Sequence, residues 1–337
     1  MRYMLFIGGI KIMSDLVQPL RPADIKDLSP ADLAQRLSQF ESMRLTQMAD
    51  AKDQLWEEMQ VHGRNSGVPM PWEEMRGKWG WREGEVTLIA GPNNSAKSAL
   101  MSQMALHYSR YHPVGMMSLE EPFRAQVYRF QKQAFATEEV SRKQFDQLCD
   151  FTKNRIWHYK VYGTVQPCRA YGCCDAFYQR GCKLVVIDNV QKCGVAEDID
   201  QQRDFINALI GLAEMGIHIV LIHHTRKRPS GHNQYRSTSD DVRGAGAFTD
   251  LATNLILVNR NIERSEVLEK QASGKFLTSA EQDLLEETAD LDVQIRKQKF
   301  GSMWNGTLKL YYGNGMTFKD QQFGKDIKLP LRLVEGF

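Results

Sequence analysis

The sequence predicts an α/β fold, a mostly parallel sheet covered by helices on both faces, and two observations carry that prediction. From Gly84 onward, short continuous apolar runs recur, each followed by turn residues and a longer stretch with helical spacing. Strands that are apolar along their whole length belong in sheets buried on both sides. The second observation is the loop "GPNNSAKS", Gly91 to Ser98, which joins one apolar run to the amphipathic stretch "SALMSQMALHYSRY". A glycine-containing turn from strand to helix is the place where such sheets bind ligands, at the carboxyl ends of their strands.

The elements follow in order. Residues 1–65 read as an N-terminal tail and helical arm, and residues 66–337 as the core. The stretch Gly8 to Met13 reads as a translated ribosome-binding site with the start at Met13, which mass spectrometry of the native N-terminus checks. "SPADLAQRLSQF" opens the arm helix, with Ser29 at the cap and Pro30 in the first turn. Apolar residues continue at roughly helical spacing until "HGRNSGVPMP" breaks the pattern. The arm is too short for a domain and suits packing on a neighbour. The core strands are expected at 85–91, 114–120, 155–163, 183–189, 217–224, 254–260 and 293–299, with an antiparallel meander over 307–318 turning at "GNG". Between 261 and 292, the acidic run "TSAEQDLLEETADLD" reads as a solvated helix with Thr278 and Glu281 at capping-box spacing.

Composition narrows the partners. Net charge is +2, from 43 basic and 41 acidic residues, so a nucleic-acid partner has to be met by a local patch. No apolar run reaches the roughly 18 residues of a membrane span, which points to a soluble chain with no membrane partner. The six cysteines contain no C-x-x-C pair and read as free thiols in a reducing, cytoplasmic compartment.

The loop resembles G-x-x-x-x-G-K-[ST] with Ala96 at the second glycine. Its backbone N–H groups, with residues Gly91, Asn93, Asn94, Ser95, Ala96, Lys97, Ser98 and Ala99, would cradle the phosphates of ATP; Lys97 supplies charge at the β/γ oxygens and Ser98 ligates Mg²⁺. Alanine at 96 adds one methyl, which a negative φ accommodates. "KLVVIDN" ends a buried strand on Asp188, a metal-holding position. "MMSLEEP" offers Glu120, with Glu121 beside it, to polarise a water. His223 and His224 end another strand, and either suits sensing of the γ-phosphate. Beyond them, Arg226, Lys227, Arg228 and Arg236 form a basic, Gly/Ser-rich loop with no acid before Ser239, the patch that single-strand DNA binding calls for.

Together these motifs resemble the RecA-like ATPase core of DnaB-type hexameric replicative helicases, including phage and mitochondrial primase-helicase relatives. The matching segments are "GEVTLIAGPNNSAKS", "SLEEP", "LVVIDNVQ", "HIVLIHHTRK", "DDVRGAGAFTDLATNLILV" and "IRKQKFG" followed by "GTLKL". The resemblance implies a P-loop NTPase in which Lys97 and Ser98 bind phosphates and Mg²⁺, Asp188 is the Walker B acid, Glu120 the base and His224 the γ-phosphate sensor. It implies that Arg243, Gly244 and Gly246 grip the DNA backbone, and that Lys297 and Lys299 reach into a neighbouring subunit's ATP site. Lys299 stands where the family has an arginine finger, and a point charge is not equivalent to a bidentate fork. Arg296, three residues away on a strand, is expected to face the opposite side. The family further implies a ring, hexameric in its members, acting on single-stranded DNA in a bacterial or phage-infected cytoplasm, with a primase and a loader as separate polypeptides. The alternative expectation is a RecA-superfamily ATPase that binds DNA without unwinding it.

Overall fold

The computed structural model describes residues 6–7, 10–11, 47–50, 52–53, 56, 67–195, 198–225, 237–242 and 246–334. The chain divides into two units, Met1–Arg64 and Asn65–Phe337. In the first, Phe6–Ile7 pairs antiparallel with Ile10–Lys11; the arm helix expected from Ser29 lies outside the described residues.

The second unit begins with a short pair, β1 (Val68–Pro69) and β2 (Gly80–Trp81), and continues through β3 (Val86–Gly91), β4 (Val114–Ser118), β5 (Ile156–His158), β6 (Leu184–Asp188), β7 (His218–His224), β8 (Asn254–Arg260), β9 (Leu291–Gln298), β10 (Thr307–Tyr312) and β11 (Phe318–Lys319). Strands β3 to β11 form one nine-stranded sheet among the described residues, in the order β11-β10-β9-β8-β3-β7-β6-β4-β5. Its neighbours from β8 to β5 run parallel. The pairs β8–β9, β9–β10 and β10–β11 are antiparallel.

The fully apolar strands fill both faces. Alternate residues of β3 point to opposite cores: Ile89 joins Leu100, Met101 and Phe130, while Leu88 joins Phe177, Leu209 and Phe248. The first core is closed by α1 (Lys97–Tyr108) and α2 (Phe123–Phe135). The second is closed by α4 (Pro167–Tyr178), α5 (Ile199–Ala213) and α6 (Gly246–Leu251), with α3 (Arg142–Thr152) lying between α2 and β5 in the chain. Each buried aliphatic side chain contributes about 1.5–3 kcal/mol, so the sheet is held from both sides. After β8 come α7 (Ile262–Ala272) and α8 (Ser279–Glu287), and α8 starts at a capping box formed by Thr278 and Glu281.

One strand is shorter than its sequence suggests. The run at 155–163 gives only Ile156–His158, because it lies at the sheet edge with a single partner; beyond it, only scattered bonds tie the chain to β4, Tyr159 N–H to Met116 O at 2.9 Å and Gly163 N–H to Leu119 O at 3.0 Å. Among the described residues, no helix is long and apolar enough to cross a membrane. All six cysteines are free, and burial pushes the thiols of Cys173, Cys182 and Cys193 up to about 12.

Candidate active site

Sheet order assembles the site. Gly91 at the end of β3 is registered with His224 at the end of β7; Ile222 on β7 is registered with Asp188 on β6, and Asp188 with Ser118 on β4. Four adjacent parallel strands therefore deliver the loop, His224, Asp188 and the Leu119–Glu121 turn to one edge. A cleft of about 450 Å³ opens there, lined by residues 93–99, Glu120, Glu121, Arg129, His224 and Met316. Gly91 permits the loop to start so close to β8, since a Cβ there would stand 2.2 Å from Val258 O.

The loop corrects one expectation. Ala96 has φ 66° and ψ 14°, in the left-handed region, so the chain keeps the backbone of a glycine with an alanine in place. An L-residue in that conformation costs roughly 1–2 kcal/mol. The turn closes anyway, with Leu100 N–H donating to Ala96 O at 2.9 Å to begin α1. Ala96→Gly is expected to keep nucleotide binding and change stability by less than about 1 kcal/mol, since relieved strain is offset by the freer unfolded chain. Ala96→Val puts a β-branched residue at positive φ and is expected to weaken nucleotide binding at least about ten-fold. Full binding by the valine variant would show that the loop does not need this conformation.

Lys97 is buried, and its ammonium donates to Gly91 O at 2.9 Å, Pro92 O at 2.7 Å and Ser95 Oγ at 3.3 Å. Burial lowers its pKa to about 8, opposed by the charges of Asp188 and Glu120. Asp188 is 4% exposed, and burial raises its carboxyl to about 6, opposed chiefly by a hydrogen bond from Ser98. Its Oδ1 is buried with no hydrogen-bond partner. A buried carboxylate oxygen left unpaired, beside a serine hydroxyl on the first turn of α1, fits a hard divalent cation that takes its remaining ligands from phosphate and water. Among the described residues, no group of three or more His, Cys, Asp or Glu side chains is arranged to hold a metal by itself.

Glu120 and Glu121 separate by partner. Glu121 forms an ion pair with Arg129 of α2, whose Nη1 also lies 3.4 Å from Ser102 Oγ. Glu120 accepts from Asn189 Nδ2 at 2.7 Å and faces His224 Nε2 at 3.1–3.2 Å. Burial first, and then Lys97, hold His224 below its ordinary range; the neutral ring presents Nε2–H to the Glu120 carboxylate. His223 turns the other way, its ring 6.5 Å from Phe248 in the second core, where burial lowers it to about 4. The histidine in the cleft is thus His224.

Asn189 and Arg129 were not singled out by the sequence reading. Asn189 follows Asp188 directly and is 1% exposed. Arg129 belongs to a buried polar stripe on α2, Gln126, Arg129 and Gln133, at helical spacing. That regularity was the available signal, but polar residues at helical spacing are ordinarily assigned to solvent.

Lys297 and Lys299 are not in this chain's cleft. Lys297 is registered with Leu255, and Leu255 with Leu88, three residues before Gly91. That is roughly 10 Å along the strands and roughly 10 Å across two strand spacings, with Lys299 farther still. The expectation that Arg296 faces opposite to Lys299 by simple alternation also needs correction. The register slips between Leu255 and Ile256, which pair with Lys297 and Ile295, so Arg296 is the extra residue of a β-bulge. Gly246 begins α6, and a Cβ there would meet nothing within 4 Å. Arg226, Lys227, Arg228, Arg243 and Gly244 lie outside the described residues.

Sheet order and the strand-to-helix loop define a RecA-like P-loop fold. A family model described as an AAA domain matches residues 36–230, more than half of the chain, and the chain belongs to that family. Among solved structures it is similar to one described as an ATPase domain, with TM-score 0.65 and 17% identity over 82% of this chain and 100% of that one. It is also similar to "The Structure Of A DnaB-Like Replicative Helicase And Its Interactions With Primase", with TM-score 0.62 and 16% identity over 86% of this chain and 71% of that one. At such identity the likeness establishes the fold. No curated protein matches the chain.

Proposed function

We propose that this protein hydrolyses ATP to move along single-stranded DNA as a ring-forming helicase. The observation that carries the reading is the Glu120 carboxylate, held by Asn189 and His224 in the cleft that Lys97 also lines, with Asp188 buried at the end of the adjoining strand. In this reading residues 91–99 bind the phosphates, with Lys97 on the β/γ oxygens. Ser98 and Asp188 hold Mg²⁺, which supplies charge neutralisation of the triphosphate. Glu120 takes the proton of the attacking water, and His224, hydrogen-bonded to it, relays the state of the γ-phosphate. Neutral His224 suits this role, because it donates to Glu120 without competing for the proton.

The strand geometry supports sharing of sites between subunits. Lys299 is exposed on the sheet edge opposite the loop, beyond reach of its own cleft. A cation so placed serves a phosphate only in another copy, through head-to-tail contacts that close into a ring. The basic residues of segment 226–246 then bind the DNA backbone, with a primase and a loader as further partners. Single-stranded DNA is expected to raise the ATPase rate, and ATP to drive separation of a forked duplex. Stimulation without separation favours a DNA-binding ATPase of the same fold; no ATPase activity with or without DNA refutes both.

A further inference from the structure

Two stretches of surface meet beside the carboxyl end of β5, one at the start of α2 and the other running from β5 into α4. Residues 122–137 and 151–174 contain no aspartate or glutamate, against three and four lysines and arginines respectively. In a chain of net charge +2, that makes a local field of one sign. Phe123 joins the two stretches: its ring stands edge-on 5.1 Å from that of His158, and the Lys160 ammonium lies 5.6 Å over it. His158 Nδ1 also lies 2.9 Å from Gln126 Oε1 of α2. The surface is therefore continuous.

It presents rings as well as charge. Tyr162 is 69% exposed, Tyr128 60% and Phe123 40%. Between residues 160 and 166 exposure alternates: Lys160, Tyr162, Thr164 and Gln166 are exposed, while Val161, Gly163 and Val165 are buried or half-buried. Such alternation marks an extended chain, and it puts the cation and the ring on one outward side. The backbone beneath them is anchored. Tyr159 N–H donates to Met116 O at 2.9 Å, Gly163 N–H to Leu119 O at 3.0 Å and Val165 N–H to Lys192 O at 2.8 Å. Arg169, in the first turn of α4, donates to the Tyr159 hydroxyl at 3.2 Å. Arg129 and Lys132 are engaged with Glu121 and Glu138; among the described residues, no acid pairs with Arg124 or Lys160.

A cationic surface with exposed rings fits a single strand of nucleic acid, whose phosphates meet the charge and whose bases stack on the rings. A peptide strand added to β5 is the poorer occupant, because β5 has only three residues and a short edge offers few backbone partners. The geometry points to this surface as a single-stranded nucleic-acid track beside the last strand of the sheet: Arg124 and Lys160 contact phosphates, and Tyr128 and Tyr162 stack on bases. The track is separate from segment 226–246, and it requires neither hydrolysis nor ring closure.

Nucleotide-free binding of the full chain to a fluorescent oligo-dT, followed through a salt titration, tests the track. Arg124→Ala combined with Lys160→Ala is expected to weaken binding about ten-fold. It is also expected to flatten the slope of log affinity against log salt by about 1.4, since each single-strand phosphate contact contributes about 0.7. Tyr162→Leu is expected to weaken binding about ten-fold without moving the slope, and Tyr162→Phe, which keeps the ring, to bind like the wild type. Thermal unfolding midpoints are expected to hold, because all three positions are exposed. Unaltered affinity and slope in the double variant overturn the inference, as does equal loss with leucine and phenylalanine at 162. Unaltered oligo-dT binding with a changed sedimentation coefficient assigns the surface to a second copy of this chain and overturns it too. A wild-type chain that binds no oligo-dT also overturns it, while leaving nucleotide binding in the cleft untouched.

Discussion

Replacing Glu120 by glutamine is expected to abolish ATP hydrolysis while nucleotide remains bound. The amide side chain is nearly isosteric and can still hydrogen-bond to Asn189 and His224, which hold the wild-type carboxylate at 2.7 Å and 3.1–3.2 Å, but it cannot take a proton from water. Loss of a general base costs about 10²–10⁴ in rate, and a fall of about 10³ in kcat is expected at unchanged or tighter ATP affinity, since a negative charge leaves the cleft. Glu121 supplies the contrast. Its carboxylate is spent on Arg129, so Glu121→Gln is expected to lower kcat by no more than about five-fold, the cost of loosening an ion pair at the cleft wall. Steady-state ATPase rates with binding of a fluorescent nucleotide decide the matter. A Glu121 variant as inactive as the Glu120 variant would show that the base is misassigned.

The second large effect belongs to Lys97. Lys97→Met removes the buried ammonium and is expected to weaken triphosphate binding about 100-fold, the worth of one or two charged hydrogen bonds, without unfolding the loop. The carbonyls it leaves keep other donors: Thr225 N–H reaches Gly91 O at 3.0 Å and Ser95 N–H reaches Pro92 O at 3.3 Å. Because burial brings Lys97 to about 8, the free protein carries this cation below pH 8 and loses it above. Wild-type affinity for triphosphate is therefore expected to fall as pH rises through about 8, and the methionine variant to show no such fall. Stability has the opposite sign. Between about 8 and the ordinary lysine value of 10.5, the unfolded chain holds a proton that the folded chain has released, so this group makes the protein more stable as pH rises through that window. Nucleotide titrations from about pH 7 to about pH 9.5, bracketing that value, with thermal unfolding in parallel, check both. A pH-independent wild-type affinity would rule out Lys97 as the phosphate cation.

Much of the fold was legible because fully apolar strands and helical periods report burial directly. "EVTLIAG", "KLVVIDN" and "IHIVLIHH" became β3, β6 and β7, side by side in the sheet. Residue spacing alone did not choose between paired candidates; the family resemblance pointed to Glu120 and His224. Glu120 and Glu121 are adjacent in the chain, as are His223 and His224. Strand alternation says that neighbours face apart without saying which face meets the cleft; the register of Gly91 with His224 decides it. The conformation of Ala96 was misjudged because a residue's φ is set by the turn it must close, and side-chain identity only sets the cost.

By itself the sequence determined which segments are strands, where the phosphate loop lies and which acids end the strands, because those follow from local hydrophobic period and turn chemistry. Tertiary structure alone decided that Glu121 is neutralised by Arg129, that Asn189 and His224 hold Glu120, and that Lys297 caps α6. Glu121 and Arg129 are 8 residues apart, but the other contacts span 48 to 104 residues and depend on strand order and one β-bulge, which no single stretch of residues encodes.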